Sequence, residues 1–140
     1  MNAKFFLDTN VILYAFDQAS PQKARVAQQL IKEGSDGKQT VISYQVVQEF
    51  INVALKGFRI ALVRADLELF VHTALFPMAV VSPSQPLVLE ALRLQSAHRL
   101  AWYDSLIVAA ALESGCEVLY TEEMQHGQHF ADLAVQNPFI

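Results

Sequence analysis

The stretch Phe5-Phe6-Leu7-Asp8-Thr9-Asn10-Val11-Ile12-Leu13 sets an apolar run against a single aspartate and then turns directly into a second apolar segment. Aromatic and branched apolar residues without a helical period predict a buried strand over Lys4 to Asp8, with a short helix over Val11 to Phe16 behind it. A carboxylate at the end of a buried strand is costly unless it is paired, hydrogen-bonded or bound to a cation. Asp8 is therefore the first candidate site residue.

Outward from this stretch, strands and helices alternate. Ser20-Pro21 is a helix start, and that helix is expected to run to about Glu33, where Gly34-Ser35-Asp36-Gly37 reads as a loop. Thr40 to Ser43 reads as a second strand, with Ser43 placed to cap a helix from about Gln45 to Lys56. Arg59-Ile60-Ala61 leads into a helix through Phe70 to Ala74, Ala79 to Val81 is a third strand, and Ser84 to about His98 is another helix. Tyr103-Asp104-Ser105 opens an apolar helix that stops at Ser114-Gly115, and Glu117 to Thr121 is the fourth strand. The tail is loop-like through Gly127, with an edge strand near Val135 to Phe139. This order predicts an α/β fold around a mainly parallel sheet of four to five strands, and no repeat or linker divides residues 1–140 into more than one domain.

Composition narrows the class. The chain is 53% hydrophobic and 17% charged, with a mean hydropathy of +0.25, an apolar excess that suits buried strands and a dimer surface. Leu62, Leu67, Leu69 and Phe70 are the candidates for that surface. A single cysteine, Cys116, excludes an internal disulfide and fits a reducing, cytoplasmic setting. The longest run free of Asp, Glu, Lys and Arg, Leu69 to Leu89, is broken by Pro77, Pro83 and Pro86, so it is not a membrane span. Net charge is −4, which by itself argues against a nucleic-acid partner. Setting aside four site acids, however, leaves ten acids against ten bases, a neutral scaffold.

Ligands of open α/β sheets bind beyond the carboxyl ends of the strands, and acids fall there. Asp8 ends the first strand, Glu49 lies about two turns into the helix after the second, Asp104 begins the helix before the fourth, and Glu122 and Glu123 follow the fourth. Each has a plainer explanation: Asp8 as a helix N-cap, Asp104 as a partner of the helix dipole, Glu49 as a solvated boundary residue, Glu122 and Glu123 as a polar turn. On a common rim they conflict. Two carboxylates about 4 Å apart repel by about 4 kcal/mol at an effective dielectric of about 20. A hard, oxygen-seeking cation such as Mg²⁺ or Mn²⁺ removes that conflict, and the chemistry that follows is metal-assisted phosphodiester hydrolysis. His126 and His129 lack zinc-ligand partners at the right spacing and read as surface loop residues. Lys56, Arg59 and Arg64 are either phosphate contacts or a solvated face.

The sequence resembles the PIN-domain ribonucleases, in particular the VapC-type toxins of type II toxin–antitoxin pairs. The carriers are Leu7-Asp8-Thr9-Asn10-Val11, Ser43 through Gln48-Glu49-Phe50, Trp102-Tyr103-Asp104-Ser105-Leu106-Ile107, and Leu119-Tyr120-Thr121-Glu122-Glu123, four blocks in matching order over nearly the whole chain. The resemblance implies a three-layer α/β/α sandwich and an acidic pocket holding one or two Mg²⁺ or Mn²⁺. It also implies RNA cleavage by a metal-activated water, and an antitoxin partner. Asp8, Glu49 and Asp104 match the family's acids one for one. The fourth, usually an aspartate two residues after the threonine, falls on Glu123, with Glu122 as the neighbouring candidate. Thr9, Asn10, Ser43 and Thr121 would orient carboxylates, water or substrate phosphate. Two other readings compete: a degenerate PIN module that binds RNA or protein without cleaving, and a receiver-like domain phosphorylated on aspartate. The second wants an acidic pair at the first strand and a lysine after the last, and Asp8 has no adjoining acid.

Overall fold

A computed structural model describes residues 3–37 and 39–140. Its centre is a six-stranded sheet in the order β3-β2-β1-β4-β6-β5, formed by β1 (Phe5–Leu7), β2 (Thr40–Ser43), β3 (Ala79–Val81), β4 (Val118–Tyr120), β5 (His129–Phe130) and β6 (Leu133–Gln136). All neighbouring pairs are parallel except β5 with β6. The helices are α1 (Thr9–Tyr14), α2 (Pro21–Gly37), α3 (Tyr44–Lys56), α4 (Arg64–Phe70), α5 (Gln85–His98) and α6 (Trp102–Glu113), with a π turn over Val71–Leu75 extending α4. Helices α2, α3 and α6 all contact β2, whose four residues are buried, as in a parallel sheet covered on both faces. The core is continuous, with Phe6, Leu7, Val11 and Ile12 of the opening stretch among its least accessible residues.

The first three strands step outward from β1 in one direction, and β4 then pairs on the other side of β1. This reversal is a topological switch point, and it lies at the carboxyl ends of β1 and β4. Asp8 leaves β1 there, its N–H donating to the Tyr120 carbonyl at 3.1 Å.

Several expectations need correction. Helix α2 does not stop at Glu33 but continues through the glycine-containing segment to Gly37. A Cβ built on Gly34 would lie 1.3 Å from the Thr40 hydroxyl oxygen, so glycine lets the helix end press against β2, and packing overrides a weak helix propensity. The sheet has six strands rather than four to five, and the segment from Leu133 is not the edge. Leu133 and Val135 are buried because β6 inserts between β4 and β5, and β5 forms the edge. In the expected dimer surface, Leu67 is buried and Phe70 packs against Phe16 and Phe50, so both serve the core, while Leu69 remains 60% exposed. Among the described residues no helix is long and apolar enough to cross a membrane.

Candidate active site

Asp8 is 4% exposed and occupies the N-cap of α1, where its Oδ1 accepts from the Thr9 N–H at 2.8 Å. Its Oδ2 accepts from the Thr121 hydroxyl at 2.9 Å and from Asn10 Nδ2 at 3.2 Å. Thr121, fully buried just beyond β4, gives its one hydroxyl proton to Asp8 and accepts from Asn10 Nδ2 at 3.3 Å and from the Glu123 N–H at 3.1 Å. The hydroxyl's full capacity of one donor and two acceptors is thus used. Asn10 closes the network by accepting from the Glu122 N–H at 3.0 Å. On the other side of Asp8, the Thr9 hydroxyl donates to Glu49 Oε1 at 2.8 Å. Asp8 thus caps α1 and lines a cleft with the same side chain.

Asp8, Glu49, Asp104 and Glu123 line one cleft, together with Thr9, Asn10, Gln45, Arg59 and Tyr103. Burial pushes Asp8 up to about 7, against the hydrogen bonds from Thr121 and Thr9, and the charges of Glu123 and Glu49 push in the same direction as burial. Burial also raises Asp104, which stands in the first turn of α6. Glu123 is raised by partial burial and then by Asp104 and Glu49, with Arg59 acting in the opposite sense. Asp8 thus feels the charges of Glu49 and Glu123, and Glu123 feels those of Asp104 and Glu49.

Three expected residues do not line the cleft: Thr121 reaches it only through its bond to Asp8, and two lie elsewhere. Ser43 caps α3, its hydroxyl accepting from the Val46 N–H at 3.4 Å, and does not line the cleft. Glu122 is turned aside and clamped: Oε1 accepts from the Tyr14 hydroxyl at 2.6 Å, and Oε2 pairs with Lys23 Nζ at 2.5 Å. Burial alone would raise its pKa, but these partners hold it below the usual glutamate value. Of the pair following β4, only Glu123 faces the cleft. Among the three candidate basic residues, Arg64 pairs with Glu68 on α4, and only Arg59 reaches the cleft. Tyr14 and Lys23 were not legible as site residues, since nothing in their own spacing ties them to Glu122. His126 accepts from the Asn137 N–H within the exposed tail, as a loop residue would.

Among the described residues, no three of the acids converge closely enough to form a metal cage as they stand. The donor set nevertheless suits a hard cation. Its side-chain ligands are carboxylates in mutual repulsion, and Mg²⁺ typically keeps several waters while using only one or two carboxylates. The cleft, of about 240 Å³, has room for an ion with part of its hydration shell, at about 30 Å³ per water.

A parallel sheet with carboxylates gathered at its switch point defines a class, and the PIN domain family model matches residues 5–128. The chain belongs to the PIN domain family. Among solved structures, a toxin–antitoxin complex from Klebsiella pneumoniae contains a chain similar at TM-score 0.71 and 21% identity, covering 96% of this chain and 98% of that one. VapC20 from Mycobacterium tuberculosis, described as a sarcin–ricin loop cleaving toxin, is similar at TM-score 0.65 and 15% identity, over 86% and 90% of the two chains. DNA-bound VapBC from Salmonella typhimurium is similar at TM-score 0.70 and 16% identity, over 98% and 99%. At these identities the likeness establishes the shared fold. No curated protein sequence matches the chain.

Proposed function

We propose that this chain is a Mg²⁺- or Mn²⁺-dependent endoribonuclease, the toxin of a toxin–antitoxin pair, acting in the cytoplasm and bound by a cognate antitoxin. The observation that carries this reading is the gathering of four carboxylates, from α1's cap, α3, α6 and the exit of β4, on a single cleft. The toxin assignment is supported by the fold shared with toxin–antitoxin proteins, one of which is described as cleaving the sarcin–ricin loop. We read the 140 residues as one PIN unit and the apolar excess as fitting a homodimer.

Asp8, Glu49, Asp104 and Glu123 are the residues that would hold the ion. When bound, Mg²⁺ or Mn²⁺ supplies charge stabilisation at phosphoryl oxygens and makes water a competent nucleophile near neutral pH. The protein's part is orientation. Three of the four acceptor sites on the Asp8 carboxylate are taken by Thr9, Asn10 and Thr121, which fix its plane and leave one site on Oδ1. The Thr9 hydroxyl likewise fixes Glu49, and the Glu123 backbone is tied to Thr121. Asp8 has to give up its proton before it can serve as a ligand, so its raised pKa couples ion binding to pH.

Incubating the purified protein with total RNA, with and without Mg²⁺ or Mn²⁺, and mapping the ends tests this. Discrete cleavage ends should appear only with metal and disappear in Asp104→Asn, whose melting temperature in EDTA should stay at or above that of the wild type because a charge that repels Glu123 is gone. Cleavage that persists in excess EDTA would rule out the metal chemistry.

A further inference from the structure

Arg59 is a cation on the wall of an acidic cleft, yet its guanidinium makes no ion pair or side-chain hydrogen bond among the described residues. The other cations near acids are committed: Lys23 to Glu122, Arg64 to Glu68, Arg93 to Glu90. Arg59 is held by something else. Its guanidinium carbon lies 4.5 Å from the centroid of the Tyr14 ring, a cation–π contact. Tyr14 is itself braced by its hydroxyl bond to Glu122, by Lys23 with Nζ 4.7 Å from the ring centroid, and by an edge contact with Phe139 at 4.8 Å. Glu122 also binds Lys23, so Glu122, Lys23, Tyr14 and Phe139 form one cluster beside the cleft. A cation–π contact positions the guanidinium without consuming its donors, and all five N–H groups stay available to an anion.

An RNA substrate must bring phosphate oxygens, already negative, up to four carboxylates. A bound cation offsets part of that repulsion, and a fixed positive group at the rim offsets more. Arginine suits the task because its planar fork matches a phosphate bidentately. We propose that Arg59 binds a backbone phosphate of the RNA at the mouth of the cleft, and that the Glu122–Lys23–Tyr14 cluster is the brace that holds it there. The inference rests on the ribonuclease reading above. It gives Glu122 a function other than metal ligation.

The test measures binding apart from cleavage. In an Asp104→Asn background, the anisotropy of a fluorescein-labelled single-stranded RNA of mixed sequence is titrated across a salt series. Arg59→Ala should weaken binding about tenfold, the scale of one charge-assisted phosphate contact, and should reduce the slope of log K against log salt by about 0.7. Arg59→Lys should regain the salt slope but only part of the affinity. Arg64→Ala, which removes a base paired with Glu68, should change neither. In the cleavage-competent protein, Arg59→Ala should raise KM more than it lowers kcat. Equal binding and equal slope for Arg59→Ala and its parent would overturn the role of Arg59 while leaving the nuclease reading intact. So would equal losses from Arg59→Ala and Arg64→Ala, or no recovery in Arg59→Lys. RNA cleavage by the Asp104→Asn protein would instead overturn the assignment of Asp104 to the ion, and no RNA binding by any variant would overturn the ribonuclease reading.

Discussion

One hydroxyl, that of Thr121, holds together groups that arrive from opposite ends of the chain, since it donates to Asp8 and accepts from Asn10 and from the Glu123 backbone. Thr121→Val keeps the shape and removes all three bonds. The expected cost is about 1–3 kcal/mol, because Asp8 and two donors lose a buried partner, and denaturant unfolding in EDTA would measure it. The same substitution takes away the main contact that favours the ionised form of Asp8, so its proton should become harder to remove and the Mg²⁺ concentration for half-maximal cleavage should rise. At this scale the site was partly legible. The apolar flanks of Asp8 left its charge without an evident solvent, which marked it at once. Glu122 and Glu123 could not be separated, since two adjacent acids leaving a strand point in different directions. What separates them is Tyr14 and Lys23, 108 and 99 residues earlier in the chain.

Among the elements, α2 shows how a local signal loses to packing. The glycine-containing segment after Glu33 reads as a loop on propensity alone, yet Gly34 is buried within the helix against Thr40 of β2 and the Phe5 ring of β1. Gly34→Ala would place a Cβ where the Thr40 side chain stands, 1.3 Å from its oxygen and 2.7 Å from its Cβ. A loss of about 1–3 kcal/mol is expected from such overpacking. Adding Thr40→Ala should recover only part of it, because the Cβ of residue 40 remains too close; thermal melts of the single and double variants would decide this. The β5–β6 hairpin escaped prediction for a different reason. Its turn places Ala131 at φ +53, a left-handed conformation usually signalled by glycine or asparagine. With an alanine there, the turn is not marked by glycine, so β5 was missed and the one strand expected, near Val135 to Phe139, was placed too late. The strands β1 to β4 were legible as short apolar runs, and helices α3, α5 and α6 by a cap or stop: Ser43, Ser84 and Gly115.

For the molecule as a whole, the acidic cleft sets stability against function. Burial holds Asp8 protonated up to about 7, while in the unfolded chain it ionises near 3.8. Below about pH 4 both states carry the proton and the group has no effect on stability. Between these values the unfolded chain is ionised and the native one is not, so this group's contribution to stability falls as pH rises, by up to about 4 kcal/mol over the window. If Mg²⁺ is bound by the ionised native form, as proposed, it should offset the loss. Melting temperatures in EDTA and in Mg²⁺ should therefore nearly coincide at about pH 5 and separate by about pH 8, with the metal-bound protein higher. No separation at the higher pH would mean the cleft does not take the ion. β1 pairs with β4, and Asp8 meets Thr121 across 113 residues. On a ribosome Asp8 emerges together with Thr9 and Asn10, but Thr121, its third partner, emerges 113 residues later. By this topology a nascent chain has no assembled cleft until β4 and Thr121 have been made. Contacts that close so long a loop form slowly, so the Asp8 network is completed late in folding, after the helices that flank it.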